Sequence, residues 1–276
     1  MLRELVSRTL RRELTQPVRF VTSFNEVLYE ASGRRGVTSF RRHNPDYELL
    51  AYVEASQPEG LRHLEDELRG EGVEAVRLVD LPMLEEFLAL ARDVIPSELG
   101  GEASAELFPG EGPSSGNVWF RKQMFRWFRK VVALEHASRD FSGLLFWLDC
   151  DCFCTKSLPP WVVRHMLDGA DICFAKGRRA VTETGFVGFD LGRPATRALL
   201  EALERYYLDQ EFRSQPRWDD SYALDFVRAR IPKLRGRDLA SGRSATRMGH
   251  ILRRTIVAPF IEHEKGLHGR KLELVR

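Results

Sequence analysis

The sequence predicts an α/β domain whose mostly parallel central sheet is flanked by helices, and three observations carry that expectation. Short apolar runs alternate with amphipathic helical runs between Pro17 and Asp80. The same alternation resumes after a stretch rich in Gly, Ser and Pro. Between them stands the run "LLFWL", Leu144 to Leu148, which breaks off at two aspartates. A wholly apolar strand that ends in carboxylates reads as a buried strand reaching the edge where open α/β sheets bind ligands.

The elements follow in order. Residues 2–14 place Leu2, Leu5, Val6, Leu10 and Leu14 near one helical face with arginines elsewhere, so residues 1–16 read as an N-terminal helix. The remainder, 17–276, reads as one domain. "VRFVTSF" is a first strand and "EVLYEASGRRGVTSFRRHNP" one helix or two with a glycine break. "YELLAYVEAS" is a second strand, "PEGLRHLEDELRGEG" a helix closed by glycine, and "VEAVRLVD" a third strand. From Pro96 to Asn117 the chain reads as a long loop inside the domain. "VWFRKQMFRWFRKVVALEHAS" is a long helix, followed by the strand at Leu144. "PPWVVRHMLDG" is a helix, "ADICFAKG" and "ETGFVGFDL" are strands, and "RPATRALLEALERYYLDQEF" is a helix with proline in its first turn.

Composition singles out no partner: hydrophobic residues make up 43%, charged residues 30%, and the net charge is +2. No run approaches the roughly 20 apolar residues that span a bilayer. The first residues lack the apolar core of a secretory signal, so a cytoplasmic location is expected. Four cysteines are too few for a disulfide framework in a chain of 276 residues.

In an extended strand Asp149 and Asp151 would face one way and Cys150, Cys152 and Cys154 the other. The cysteine spacing is not the Cys-x-x-Cys of zinc sites, and only the distant Cys173 remains, so these thiols are expected in the core. Two carboxylates at a sheet edge repel unless a cation neutralises them, and their oxygens suit Mg²⁺ or Mn²⁺.

At this point the sequence resembles the GT-A glycosyltransferases, the nucleotide-sugar-dependent fold of glycogenin-like enzymes. "FWLDCDCF" is similar to that family's strand ending in Asp-x-Asp, and "TETGFVGFDL", Thr182 to Leu191, to the later strand lining the donor-sugar pocket. "RWDDSYALDFV", Arg217 to Val227, resembles its Asp-rich helix start, and "IEHEKGLHGRKL", Ile261 to Leu272, its C-terminal segment with a metal-binding histidine and a diphosphate-binding lysine. The four occur in the family's order. Two departures stand out. Lysines occur at Lys265 and Lys271 rather than six residues after His263, and Glu183-Thr184-Gly185 replaces the family's Asn before Gly.

The resemblance implies a metal-dependent hexosyltransferase-type glycosyltransferase taking a UDP- or GDP-sugar to an acceptor it does not name, with Mn²⁺ or Mg²⁺ as cofactor. Asp149, Asp151 and His263 become the metal set, His268 competing with His263. Asp149 also contacts the ribose, and Gly185 lines the donor-sugar pocket. Lys265 or Lys271 neutralises the diphosphate. Asp220 first, then Glu183, and Asp219 are candidates for the base that deprotonates an acceptor hydroxyl in an inverting enzyme. Asp219 and Asp220 have an alternative as helix-capping residues. Among Arg121, Arg126 and Lys130, Arg126 and Lys130 are taken as pyrophosphate or sugar contacts. Thr22, Ser23 and Glu54 end the first two strands where base and ribose would lie, and Tyr29 is a candidate for stacking on the base.

The run from Lys233 to Arg254 carries seven basic residues against Asp238 and reads as a loop that orders over bound donor. It and the N-terminal helix are candidates for contact with an anionic membrane surface. Nucleic acid is not expected, because the run has no interleaved aromatics. Two other functions stay open: a nucleotidyltransferase of similar fold, and a non-catalytic nucleotide- or sugar-binding protein.

Overall fold

The computed structural model describes residues 16–98, 124–176, 181–240 and 250–264, with the side chains of 92–98 left aside. The N-terminal helix, most of the long loop, Arg121, Lys265, His268 and Lys271 lie outside the described residues. Nine strands are described: β1 Val18–Asn25, β2 Glu48–Glu54, β3 Glu74–Arg77, β4 Leu144–Leu148, β5 Cys152–Cys154, β6 Ile172–Ala175, β7 Glu183–Asp190, β8 Gly236–Asp238 and β9 Ile261–His263. Seven form one sheet in the order β3-β2-β1-β4-β7-β6-β8, and β5 pairs with β9 in a separate ribbon. The large sheet is mostly parallel, as expected, with β7 antiparallel to both β4 and β6.

Alternation within the strands explains why the sheet has a hydrophobic core on each face. Along β4, Leu145 and Trp147 enter one core while Leu144, Phe146 and Leu148 enter the other. All five are buried, which is why the run contains no polar residue. The first core is closed by helices α3 Pro82–Glu98, α4 Met124–Ser138, α6 Pro194–Leu208 and α7 Asp220–Arg228. At its centre Phe87 and Phe128 stack with ring centroids 3.8 Å apart. The second core lies under α1 Arg34–His43, α2 Pro58–Gly70 and α5 Pro160–Leu167. Between β1 and α1 the chain makes a short helix, Glu26–Leu28, capped by the Asn25 side chain, and a π-helical turn, Tyr29–Gly33.

Three expectations need correction. Helix α3 was not anticipated, although Met83, Leu84, Phe87 and Ala91 recur at helical spacing and are buried. It continues through Pro96 to Glu98, so the loop does not begin at that proline. Within the basic run, Gly236–Asp238 is a strand rather than a loop, because it pairs in parallel with β6. Its flanking Arg235 lies 3.6 Å from Asp171, and Arg237 donates to the His165 carbonyl at 2.5 Å.

Asp225 on α7 fastens the approach to β7. Its carboxylate accepts from the Thr182 hydroxyl at 2.6 Å, the Thr182 N–H at 3.2 Å, Lys176 at 2.8 Å and Arg228 at 2.9 Å. Burial alone would raise its pKa, but the bonds from Lys176 and Thr182 and the nearby Arg228 outweigh that and hold it below 3.8. A depressed carboxylate contributes stability above its unfolded pKa and loses it as pH falls through the folded value. Asp225→Asn is therefore expected to cost about 1–3 kcal/mol at pH 7 in urea unfolding. The gap to the wild type should narrow as pH falls below the ordinary Asp value of 3.8.

Candidate active site at the β4 edge

The chain does not stay extended through the two aspartates. β4 ends at Leu148, Asp149 N–H makes a last bond to the Gly185 carbonyl at 2.9 Å, and a turn closes with Cys152 N–H on the Asp149 carbonyl at 2.9 Å. The expected two-faced strand is thus a strand, a turn and a second strand. β5 leaves the main sheet because its partner is β9, which sets Cys152 opposite His263. Glu264 N–H bonds the Asp151 carbonyl at 3.1 Å and fixes the same register. Helix α1 packs against this turn: a Cβ on Gly36 would lie 2.9 Å from the Cys150 carbonyl oxygen, so only glycine allows the approach.

The cysteines serve the core, as expected. Cys152 and Cys154 are buried in the second core, with Cys150 packed against it. Burial pushes the Cys150 and Cys154 thiols up to about 12 and that of Cys152 well above its usual value. Burial of this kind disfavours the thiolate, although Cys152 lies within reach of Asp151 and His263.

The turn and the ribbon bring together four side chains. His263 Nε2 lies 2.9 Å from Asp151 Oδ1, and His263 Nδ1 lies 3.8 Å from Glu183 Oε1. Glu183 Oε2 is 2.9 Å from His250 Nε2, and the two imidazole rings meet edge to face at 4.4 Å. The His263 side chain is 0% exposed, yet neither ring nitrogen makes a hydrogen bond of good geometry. Burial disfavours charge on His263, but Asp151, Asp149 and Glu183 prevail and hold its pKa above the ordinary 6.5. Among the described residues, two groups could hold a cation: Asp151, Cys152 and His263, or Glu183, His250 and His263. His250 was missed in the sequence, where it stands within the basic run at no ligand-like spacing from another histidine or acid.

Beside this cluster stands a buried cation. Lys130 Nζ, on α4, contacts Asp220 Oδ2 at 2.5 Å, Asp149 Oδ1 at 3.0 Å and the Thr184 carbonyl at 3.0 Å. Those three acceptors match the three donors of an ammonium group, so Lys130 has none left for a pyrophosphate, contrary to expectation. Burial would lower its pKa, but Asp149 and Asp220 outweigh that and hold it above its usual value. Asp149 Oδ1 also accepts from Trp147 Nε1 at 2.5 Å. Asp220 accepts from the Thr184 hydroxyl at 2.8 Å and the Ser221 N–H at 2.8 Å. Asp219 takes its capping alternative: it accepts from Tyr222 N–H at 3.1 Å and from Arg217 at 2.7 Å.

The remaining expected residues divide. β1 continues to Asn25, so Thr22 and Ser23 lie within the strand rather than at its end; Thr22 is buried with its hydroxyl unbonded, and Ser23 is partly buried beside it. Glu54 forms a buried ion pair with Arg129, which spends its carboxylate inside the protein. Tyr29 is 1% exposed and packs on Phe24, so neither ring face is open to a base, which corrects the stacking expectation. Arg126 is exposed on α4 and acts electrostatically on Cys150. Gly185 supports His263 from behind: a Cβ there would lie 2.6 Å from His263 Cε1.

The whole architecture matches a solved structure. Over 91% of this chain and 99% of the other, it is similar to mouse xyloside xylosyltransferase 1 in its apo form, with a TM-score of 0.53 and 12% identity. A second likeness is to PaToxG glycosyltransferase, at 9% identity over 83% of this chain and 77% of that one, with a TM-score of 0.42 too low to build on. No family model and no curated protein matches the sequence. The fold expected from the four motifs is therefore one that this chain shares with that solved structure.

Lys130→Met removes the ammonium and leaves the buried Asp220 and the partly buried Asp149 without their shared cation. The expected loss is about 3–5 kcal/mol in denaturant unfolding, and Asp220→Asn in the same chain should restore part of it.

Proposed function

We propose that this chain is a metal-dependent glycosyltransferase that moves a sugar from a nucleoside-diphosphate donor to an acceptor. The observation that carries the reading is the approach of Asp151 Oδ1 to His263 Nε2, 2.9 Å apart at the β4 edge, with the imidazole buried and Glu183 Oε1 3.8 Å from its other nitrogen. A divalent cation placed there would coordinate the imidazole nitrogen and neutralise part of the carboxylate charge gathered around it. One carboxylate oxygen and one imidazole nitrogen form a donor set that suits Mn²⁺ and tolerates Mg²⁺. Lewis-acid stabilisation of the departing diphosphate is the chemistry such a cation supplies when bound.

The chain's own residues divide the remaining work. Trp147 and Lys130 hold Asp149 by one oxygen, which fixes its carboxylate beside Asp151, and we assign it contact with the donor's ribose or, through water, with the cation. Asp220 and Thr184 keep Lys130 in place and so set Asp149 indirectly. Arg126, exposed on α4 near the turn, is the arginine we assign to the diphosphate. Lys265 and Lys271 follow β9 in sequence and are assigned the same task. The placement of the site at the edge of a largely parallel sheet, on a fold shared with a xylosyltransferase, supports this reading over a bare binding function.

Thermal melting with UDP or GDP, each with Mn²⁺ and with EDTA, tests the proposal. A ligand at a hundred times its Kd stabilises the folded state by about 2.7 kcal/mol. At this chain length that corresponds to on the order of 5 °C. The expected result is such a shift with one nucleotide, present only with Mn²⁺ and absent in Asp151→Asn. No shift with either nucleotide would contradict the reading.

A further inference from the structure

The Glu183–His250 pair is not used in the proposed chemistry, yet it is built into the same cluster and joins residues 67 apart in sequence. Its polarity can be followed from one end. His250 caps a short helical turn, and the Leu252 N–H, 3.4 Å away, points at His250 Nδ1. A nitrogen that receives an N–H is the unprotonated one, so Nε2 carries the proton and donates it to Glu183 Oε2 at 2.9 Å. Glu183 Oε1 accepts the Gly185 N–H at 3.0 Å and faces His263 Nδ1 at 3.8 Å. An ionised carboxylate has nothing to donate, so the nitrogen that faces it is the one that bears hydrogen. The same holds for Nε2, 2.9 Å from Asp151, so both His263 nitrogens face carboxylates. A cation bound with Asp151 would take the place of the hydrogen on Nε2 and leave the one on Nδ1.

We propose that Glu183 and His250 form a polar relay that fixes the tautomer of His263, so that Nε2 is presented with Asp151 as a cation ligand. The inference rests on the cation reading given above and deepens it. Both residues are positioning residues, since they act through His263, and Glu183 thereby leaves the role of base. Hydrogen bonding of the second ring nitrogen to a carboxylate is the arrangement that orients metal-binding histidines and raises their basicity. Closing the gap between Nδ1 and Oε1 to bonding length takes about 1 Å. Gly185 leaves that space clear: a Cβ there would lie 3.0 Å from Nδ1 and 3.1 Å from Oε1.

The test uses the full chain as wild type, Glu183→Gln, His250→Gln and Asp151→Asn, each checked for folding by circular dichroism. Mn²⁺ is titrated alone, and the free ion is read from its electron paramagnetic resonance signal. The relay predicts that Glu183→Gln weakens Mn²⁺ binding about 10- to 100-fold and that His250→Gln weakens it in the same direction. In parallel, nitrogen NMR of the Zn²⁺-loaded chain should show the ion on His263 Nε2 and the proton on Nδ1. An ion on Nδ1, shared with Glu183 and His250, would overturn the relay, as would wild-type Mn²⁺ affinity in both glutamine variants. If the wild type takes up neither ion, the cation reading itself fails. The relay, which rests on that reading, then fails with it.

Discussion

Lys130 holds the site together. Its ammonium reaches the end of β4 through Asp149, the start of α7 through Asp220 and the strand β7 through the Thr184 carbonyl. Each contact offsets part of the cost of burying the others: two carboxylates this close repel without the cation, and a buried ammonium needs the carboxylates to stay charged. With Asp149 held, the chain has a fixed point from which to turn out of the main sheet. The turn then allows β5 to meet β9, and that ribbon carries His263 to Asp151.

The cation cluster therefore depends on a change of sheet rather than on one strand. A continuous strand would have kept Asp149 and Asp151 side by side on one face. The turn instead gives them different neighbours: Asp149 faces Lys130 and Trp147, and Asp151 faces His263. Two adjacent carboxylates thus acquire separate tasks from separate surroundings, one secured by a protein cation and the other placed beside an imidazole.

How much of this was legible in the sequence depended on how local the cause was. The strand at Leu144–Leu148 was readable because burial on both faces leaves no place for a polar residue. Helix α6 was readable from its period and its opening proline. Asp151 and His263 were found through motif order, yet nothing local indicated that they would meet across the small ribbon. Lys130 was expected to bind a phosphate, since a lysine in an aromatic and basic helix does not reveal which of its neighbours will surround it. The Glu183–His250 contact was silent for the same reason, being set by where the chain returns after β8. Tyr29 and Glu54 show the converse: residues of suitable type at suitable strand ends were consumed by packing and by an internal ion pair.

The central claim is that Asp151 and His263 hold a divalent cation that engages a nucleoside diphosphate. Its most direct test is a crystal structure grown with Mn²⁺ and the nucleotide, with the manganese located by anomalous scattering. The account predicts an anomalous peak within about 2.0–2.6 Å of an Asp151 carboxylate oxygen and of His263 Nε2, in contact with the diphosphate. A nucleotide bound at the β4 edge with no such peak, or a peak on other residues, would contradict it.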